Sequence, residues 1–203
     1  EGTGGMGVAG TSGSIYVFQT NQAPTAPSSL GPTDLVNGST TGTNTPIFAF
    51  TLADADVLDT NQFQIQIDNT SDFSSPVVDY TSALGAQGIR SFQIGQAAGM
   101  GSYAVGSSGQ TLADGSYYWR VRNIDAASSA SAYTTANSGS IAFHVDTVVR
   151  LVAFQQSSGS SLESVTATSV KGVLNTTHFE TVTVSYSVTG GTATGSGTDY
   201  TLA

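Results

Sequence analysis

Three aspartates stand close together in the stretch Ala53-Asp54-Ala-Asp56-Val-Leu-Asp59, directly after a strand-like run. Hard cations such as calcium are held by several carboxylate and carbonyl oxygens supplied by loops. The stretch does not follow the EF-hand pattern, which needs a glycine at its sharp turn and a closing glutamate. The sequence therefore predicts a calcium site at Asp54, Asp56 and Asp59, and the alternative is a solvated acidic loop.

Residues for other kinds of site chemistry are few and far apart. The histidines are His144 and His178, the glutamates are Glu1, Glu163 and Glu180, and there is no cysteine. Nucleophilic catalysis needs a serine, a histidine and an acid that converge, and a zinc site needs several nitrogen or sulfur ligands. We therefore predict that the protein is not an enzyme.

The charge is strongly acidic, with 14 acidic against 5 basic residues and a net charge of -9. The five cations stand singly along the chain, at Arg90, Arg120, Arg122, Arg150 and Lys171. Nucleic-acid binding and attraction to anionic membranes need cations clustered in a basic stripe. Because the five cations are scattered, the sequence excludes both functions. No apolar run reaches the length of about 18 residues that spans a bilayer, so we expect no membrane insertion.

The apolar residues follow the period of β-strands. Segments 47–52, 63–68 and 117–122 alternate apolar and polar side chains, which is typical of a sheet with one buried and one solvated face. Further strand-like runs occupy 77–80, 91–94, 140–145, 149–154, 164–173 and 180–188. Many short strands separated by turn residues predict an all-β protein built from antiparallel β-sandwiches.

Composition divides the chain into four parts. Residues 1–20 end in the apolar run 14–20, which is either the terminal strand of a preceding β domain or a strand donated to a neighbour. Residues 21–33 carry Pro24, Pro27 and Pro32 and are interpreted as an extended linker. Residues 34–147 form the first sandwich, and 148–203 form a second, incomplete one. We expect the chain to be a segment of a longer polypeptide.

One strand of the first series is similar to a known family. After the turn at Asp114-Gly115, Tyr117, Trp119 and Val121 share one face of the run Gly-Ser-Tyr-Tyr-Trp-Arg-Val-Arg. This run resembles the strand that carries the tyrosine corner in fibronectin type III and related immunoglobulin-like sandwiches, especially bacterial ones. The resemblance implies the fold of residues 34–147 and places the three side chains in its core.

The second series resembles another family. Val-Thr-Val-Ser-Tyr-Ser-Val at 182–188, Gly-Thr-Ala-Thr at 191–194 and Gly-Thr-Asp-Tyr at 197–200 resemble the central strands of a Calx-beta domain. The later strands of that family would follow Tyr200, so the chain covers its N-terminal part. The resemblance implies calcium ligands at Glu163 and Asp199.

Together these patterns predict a structural or adhesive module of a bacterial cell-surface or secreted protein, hence an extracellular location. Its expected partners are neighbouring domains or copies of itself, paired strand to strand, and a surface glycan or protein ligand. One alternative is a filament subunit assembled by strand donation from 14–20. Another is a carbohydrate-binding accessory module of a secreted enzyme, which would use exposed aromatic rings at Tyr16, Tyr103, Tyr118 and Tyr133.

Overall fold

The computed structural model describes residues 20–156, 171–176, 181–185 and 187. The chain divides into two compact units, Glu1–Thr147 and Val148–Ala203. In the described ranges every helix is a short 3-10 turn and the rest of the regular structure is strand, so the predicted all-β class is confirmed. None of these helices is long and apolar enough to cross a membrane.

The described part of the first unit, residues 20–147, contains two sheets. The smaller sheet joins β1 (Ser28–Gly31), β3 (Ile47–Leu52) and β6 (Gly88–Gln93) in the order β1-β3-β6. The larger sheet contains β2 (Ser39–Thr41), β4 (Asn61–Asp68), β5 (Val78–Ser82), β7 (Gly101–Val105), β8 (Gly115–Asp125), β9 (Thr134–Thr135) and β10 (Phe143–Val145). Its order is β2-β10-β8-β4-β5-β7, and β9 pairs with β8. Pairing is antiparallel except between β2 and β10, which run parallel.

Alternation along the strands determines which side chains enter the core. In β3, β4 and β8 every second residue is buried, as the sequence predicts. Rings from the two sheets meet across the interior: Phe48 of β3 lies 4.9 Å from Trp119 of β8, measured between ring centroids, and Phe50 lies 4.8 Å from Phe63. The two sheets therefore pack face to face as a β-sandwich.

Two buried polar groups on β8 are satisfied by main-chain carbonyls. The Tyr117 hydroxyl donates a hydrogen bond to the Ala113 carbonyl at 2.9 Å, across the turn that leads into β8. The Trp119 indole N–H donates to the Leu35 carbonyl at 2.7 Å. Because a buried donor without a partner is costly, these bonds fix how the strand enters the core.

The segment predicted as a linker takes part in the sandwich. Ser28–Gly31 forms β1 and pairs with β3, and the Thr25 amide donates to the Ala53 carbonyl at 3.0 Å. Proline cannot donate to a strand ladder. Here Pro27 and Pro32 flank β1 and do not interrupt it, so the prolines mark the ends of an edge strand and the 21–33 segment is not an extended spacer along its whole length.

The described part of the second unit contains one antiparallel pair, β11 (Val152–Phe154) with β12 (Gly172–Leu174). β11 falls inside the predicted run 149–154, and β12 overlaps the last two residues of the predicted run 164–173. The predicted strand 180–188 is not formed where the structure describes it, at 181–185 and 187. Val182 and Val184 are 38% and 47% exposed, and no strand in the described residues pairs with them. Without a ladder partner, alternation alone does not make a strand.

Candidate functional site

The acidic loop between β3 and β4 is held by its first aspartate. Asp54 is buried, and its two carboxylate oxygens accept hydrogen bonds from the Asp56 amide at 3.1 Å and from the Asn61 side-chain amide at 3.2 Å. Both of its oxygens therefore have donors within the protein. Asp54 stabilises the loop by bonding to it and to the first residue of β4.

The other two aspartates are partly exposed. The Asp56 carboxylate accepts the Gln22 amide at 2.7 Å, and the carbonyls of Asp56 and Asp59 accept the Gln87 side-chain amide at 2.9 and 3.4 Å. Asp56 and Asp59 also line an open cleft of about 240 Å³, together with Asn21, Ala55, Val57 and Leu58. Contacts from three separate segments thus fix this loop.

The structure brings no three acidic or histidine side chains of the described residues into an arrangement that could hold a metal ion. Asp54, Asp56 and Asp59 are neighbours in sequence, but Asp54 points into the protein. Glu163 and Asp199, the ligands implied by the Calx-beta resemblance, lie outside the described residues. Calcium binding therefore stays a prediction.

Calcium is tested by thermal unfolding of the full chain with millimolar calcium and with a chelator. An ion that binds only the folded state raises the melting temperature. If the three aspartates bind calcium, Asp56→Asn/Asp59→Asn loses that rise while Asp54 keeps its hydrogen bonds. An equal melting temperature in calcium and chelator contradicts the calcium prediction for the whole chain.

Behind the loop lies a buried polar row that the sequence analysis missed. The Asn61 side-chain amide donates to the side-chain carbonyl of Asn123 at 3.0 Å, and the Asn123 amide donates to the Ala53 carbonyl at 3.1 Å. Both asparagines are fully buried. The alternation of the sequence could have revealed this row, because both asparagines occupy inward positions of β4 and β8, in phase with Phe63 and Val121.

Asp125 ends β8 at the same end of the sandwich. Burial opposes its ionised form, but hydrogen bonds from the Asn21 side chain at 2.9 Å and from Ser129 more than offset this, so the pKa of Asp125 is lowered. A depressed pKa in the folded state adds stability above the unfolded pKa of about 3.9. That stability is lost as the pH falls through the folded value.

We expect Asn21→Ala to reduce stability more at pH 7 than in strong acid, where the variant loses only its exposed bond to the Ser129 hydroxyl at 3.2 Å. The variant removes a donor to the ionised carboxylate, so the pKa of Asp125 returns toward its ordinary value. Urea unfolding at both pH values measures the difference. Asn69→Ala, at an exposed loop position, is the control. A loss of stability that is the same at both pH values contradicts this role of Asp125.

The outer face of the larger sheet carries a second polar cluster. Both carboxylate oxygens of Asp79 accept side-chain amides at 2.7 Å, one from Gln64 and one from Gln66. The two glutamine oxygens in turn accept the guanidinium Nε–H groups of Arg122 and Arg120, each at 2.8 Å. The chain of bonds runs from a carboxylate on β5 through amides on β4 to two guanidinium groups on β8.

Aromatic rings complete this cluster. The Arg120 guanidinium carbon lies 4.3 Å from the centre of the Phe73 ring and 4.2 Å from that of Tyr133. Arg122 lies 5.0 Å from the Tyr133 ring, and the Tyr133 hydroxyl donates to Gln64 at 3.0 Å. Burial raises the pKa of Tyr133, and the two arginines oppose the rise. We call Asp79, Gln64, Gln66, Arg120, Arg122, Tyr133 and Phe73 the arginine face.

The other candidate aromatic and histidine residues take different places. Tyr103 packs on Tyr80 with ring centroids 4.8 Å apart and donates to the Gln96 carbonyl at 3.0 Å, so it belongs to the core margin. Tyr118 is half-buried on the outer face, and Tyr16 and His178 lie outside the described residues. The His144 Nδ1 is 2.9 Å from the Ser116 hydroxyl on the neighbouring strand.

Comparisons of the chain with family models, with curated proteins and with solved structures find no match.

Proposed function

We propose that this chain is a non-enzymatic structural or adhesive module of a bacterial cell-surface or secreted protein. The hydrogen bond from the Tyr117 hydroxyl to the Ala113 carbonyl supports the immunoglobulin-like sandwich on which this proposal rests. A tyrosine near the start of the corresponding strand, bonded a few residues upstream, is the tyrosine corner of immunoglobulin-like sandwiches. In this proposal residues 34–147 are a fibronectin type III-like domain and 148–203 the N-terminal part of a Calx-beta-like domain.

The parallel pair at the sheet edge supports a mechanical role. β2 follows β1, β10 is the last strand of the first unit, and the two are joined by bonds from the Gly38 amide to the Ala142 carbonyl at 2.8 Å and from the Asp146 amide to the Thr41 carbonyl at 3.0 Å. Tension applied before β2 and after β10 slides the two strands along each other. In this shear geometry all hydrogen bonds between the two strands are loaded at the same time. Shear therefore resists force better than peeling, in which the bonds break one after another.

Single-molecule pulling of the full chain tests this role. The chain has no cysteine, so introduced cysteines define the attachment points. Asn37→Cys/Thr147→Cys loads β2 and β10 in shear, and Asn37→Cys/Ser140→Cys peels them from their common end. We expect a clearly higher unfolding force for the shear pair. Equal forces in the two geometries contradict a mechanical role for this edge.

A filament assembled by strand donation is the second candidate. β6 is an edge of the smaller sheet, and its Ile89 is 83% exposed. An open edge can pair with a strand from another chain. The proposed donor, 14–20, lies outside the described residues except for Thr20. In this proposal, deleting residues 1–20 abolishes the oligomers measured by light scattering. The deletion keeps Asn21, which bonds to Asp125 in the sandwich. A monomer before and after deletion contradicts strand donation.

A further inference from the structure

The arginine face concentrates positive charge on an acidic protein. Two of the five cations, Arg120 and Arg122, project from the same side of β8 two residues apart. The nearest carboxylate in their hydrogen-bond chain is Asp79, whose two oxygens accept the amides of Gln64 and Gln66, so the face carries two positive charges and one negative charge. Within the described residues, the bonds of the two arginines go to glutamine oxygens, and their other contacts are with aromatic rings.

The two guanidinium groups are held in fixed orientations. Each uses its Nε–H for a glutamine oxygen, so its terminal Nη groups remain as donors. Asp79 fixes the glutamines, because it accepts the amide of each and so turns the side-chain carbonyl of each toward an arginine. The Phe73 and Tyr133 rings, whose centres both lie within 4.3 Å of the Arg120 guanidinium carbon, restrict its movement. A pre-oriented donor pair loses less freedom when it binds a ligand.

One ring of the face is placed at a conformational cost. Phe73 has a φ of 54°, in the left-handed region that bulky residues rarely adopt, and its side chain is buried against Arg120. Strained residues persist where the surrounding structure holds them, and they cluster at functional sites. The surrounding structure therefore holds the Phe73 ring against Arg120.

We propose that Arg120 and Arg122, supported by Tyr133, bind carboxylate groups of an acidic polysaccharide. The planar guanidinium end matches a carboxylate with two parallel hydrogen bonds. Residues two apart on a strand are about 6.6 Å apart, so the two arginines can take separate acidic groups of one chain. Two such groups are too few to hold a nucleic-acid backbone, which engages many phosphates.

The surroundings favour a polysaccharide over a protein. The core of a protein interface is more apolar than the rest of the surface and, apart from arginine, is depleted in charged residues. The centre of the arginine face is a row of glutamine, arginine and tyrosine side chains, and the large apolar residues with the greatest exposure, Leu58, Ile89 and Val57, lie in the acidic loop or on the other sheet. The inference rests on the proposed adhesive role and gives it a ligand. The pulling experiment does not depend on this ligand, so the two can fail separately.

The test measures binding of the full chain to polygalacturonate by calorimetry at low salt and at about 0.15 M salt, where charges beyond about 8 Å are screened. We expect binding at both salt concentrations, because the contacts are short. Arg120→Gln/Arg122→Gln should weaken it at least about tenfold, since each lost charged hydrogen bond is worth about a factor of ten or more. Arg150→Gln, a charge loss in the other unit, should leave it unchanged.

Three further measurements test whether the ligand is recognised by its carboxylates, by the planar guanidinium ends, and as a polysaccharide or a polypeptide. Methyl-esterified polygalacturonate should bind far more weakly to the unaltered protein, which tests carboxylate recognition without any variant. Arg120→Lys/Arg122→Lys keeps the charge but loses the planar end, and it should also bind weakly. Polyglutamate should bind less tightly than polygalacturonate. Equal binding of the ester, unchanged binding by the glutamine variant, or tighter binding of polyglutamate overturns the proposal.

Discussion

Trp119→Ala should lower the free energy of unfolding by about 3–5 kcal/mol, the cost of removing a large aromatic side chain from a packed core. Trp119 is fully buried and lies against Phe48 and Phe50 of the opposite sheet. Its loss opens a cavity between the sheets and leaves the Leu35 carbonyl without its donor. Urea unfolding measures the change as a shift in midpoint at constant slope.

Two variants separate the causes of that loss. Tyr118→Ala changes the neighbouring residue, which faces outward on the same strand, and should be mild. Trp119→Phe keeps an aromatic ring but loses the indole N–H. Its loss in the free energy of unfolding should therefore lie between the losses of Tyr118→Ala and Trp119→Ala. A folded Trp119→Ala protein with an unchanged midpoint contradicts the position of Trp119 at the centre of the sandwich.

The larger strands could be predicted because their side chains face two different environments. β3, β4 and β8 have one face in the core and one in solvent, so burial alone imposes an alternating sequence. β1 carries no such pattern. It is a short edge strand next to prolines, and its membership of the sheet depends on main-chain bonds to β3 that composition does not reveal.

In the second unit the sequence predicts a strand that the structure does not form. Val182 and Val184 alternate with polar residues as a strand would, yet they form no strand and remain partly exposed. Alternation indicates that a segment can cover an apolar face. It forms a strand only when a partner supplies the ladder, and sheet pairing is a property of two segments.

The polar sites were harder to predict because their members are distant in sequence. The aspartates of the acidic loop lie within six residues of one another, but the structure buries Asp54 against Asn61 and leaves Asp56 and Asp59 partly exposed. The arginine face joins residues from Gln64 to Tyr133, and no short motif links them. Alternation does place Arg120 and Arg122 on the outer face, but their ring contacts depend on how the loops fold back.

Asn61→Ala is expected to have the second-largest effect, a loss of at least about 2 kcal/mol in the free energy of unfolding. The side-chain amide of Asn61 is shared between the Asp54 carboxylate and the Asn123 side chain, both buried. Its removal takes a donor from each, and a buried acceptor left without a donor costs about 1–3 kcal/mol. The side-chain oxygen of Asn61 has no donor among the described residues, so its removal breaks no bond.

The control for this prediction is Gln62→Ala, the next residue of β4, which faces outward and should change stability little.

A double-mutant cycle then tests whether the row acts as a unit. Asn61→Ala/Asn123→Ala removes both ends of one bond, so its cost should be less than the sum of the single costs. Additive losses would mean that the two asparagines stabilise the sandwich independently, and an Asn61→Ala loss no larger than that of Gln62→Ala would contradict the buried row. Since Ala53 and Asp54 follow β3, Asn61 begins β4 and Asn123 lies near the end of β8, a coupled loss would also show that this row joins the two sheets at one end of the sandwich.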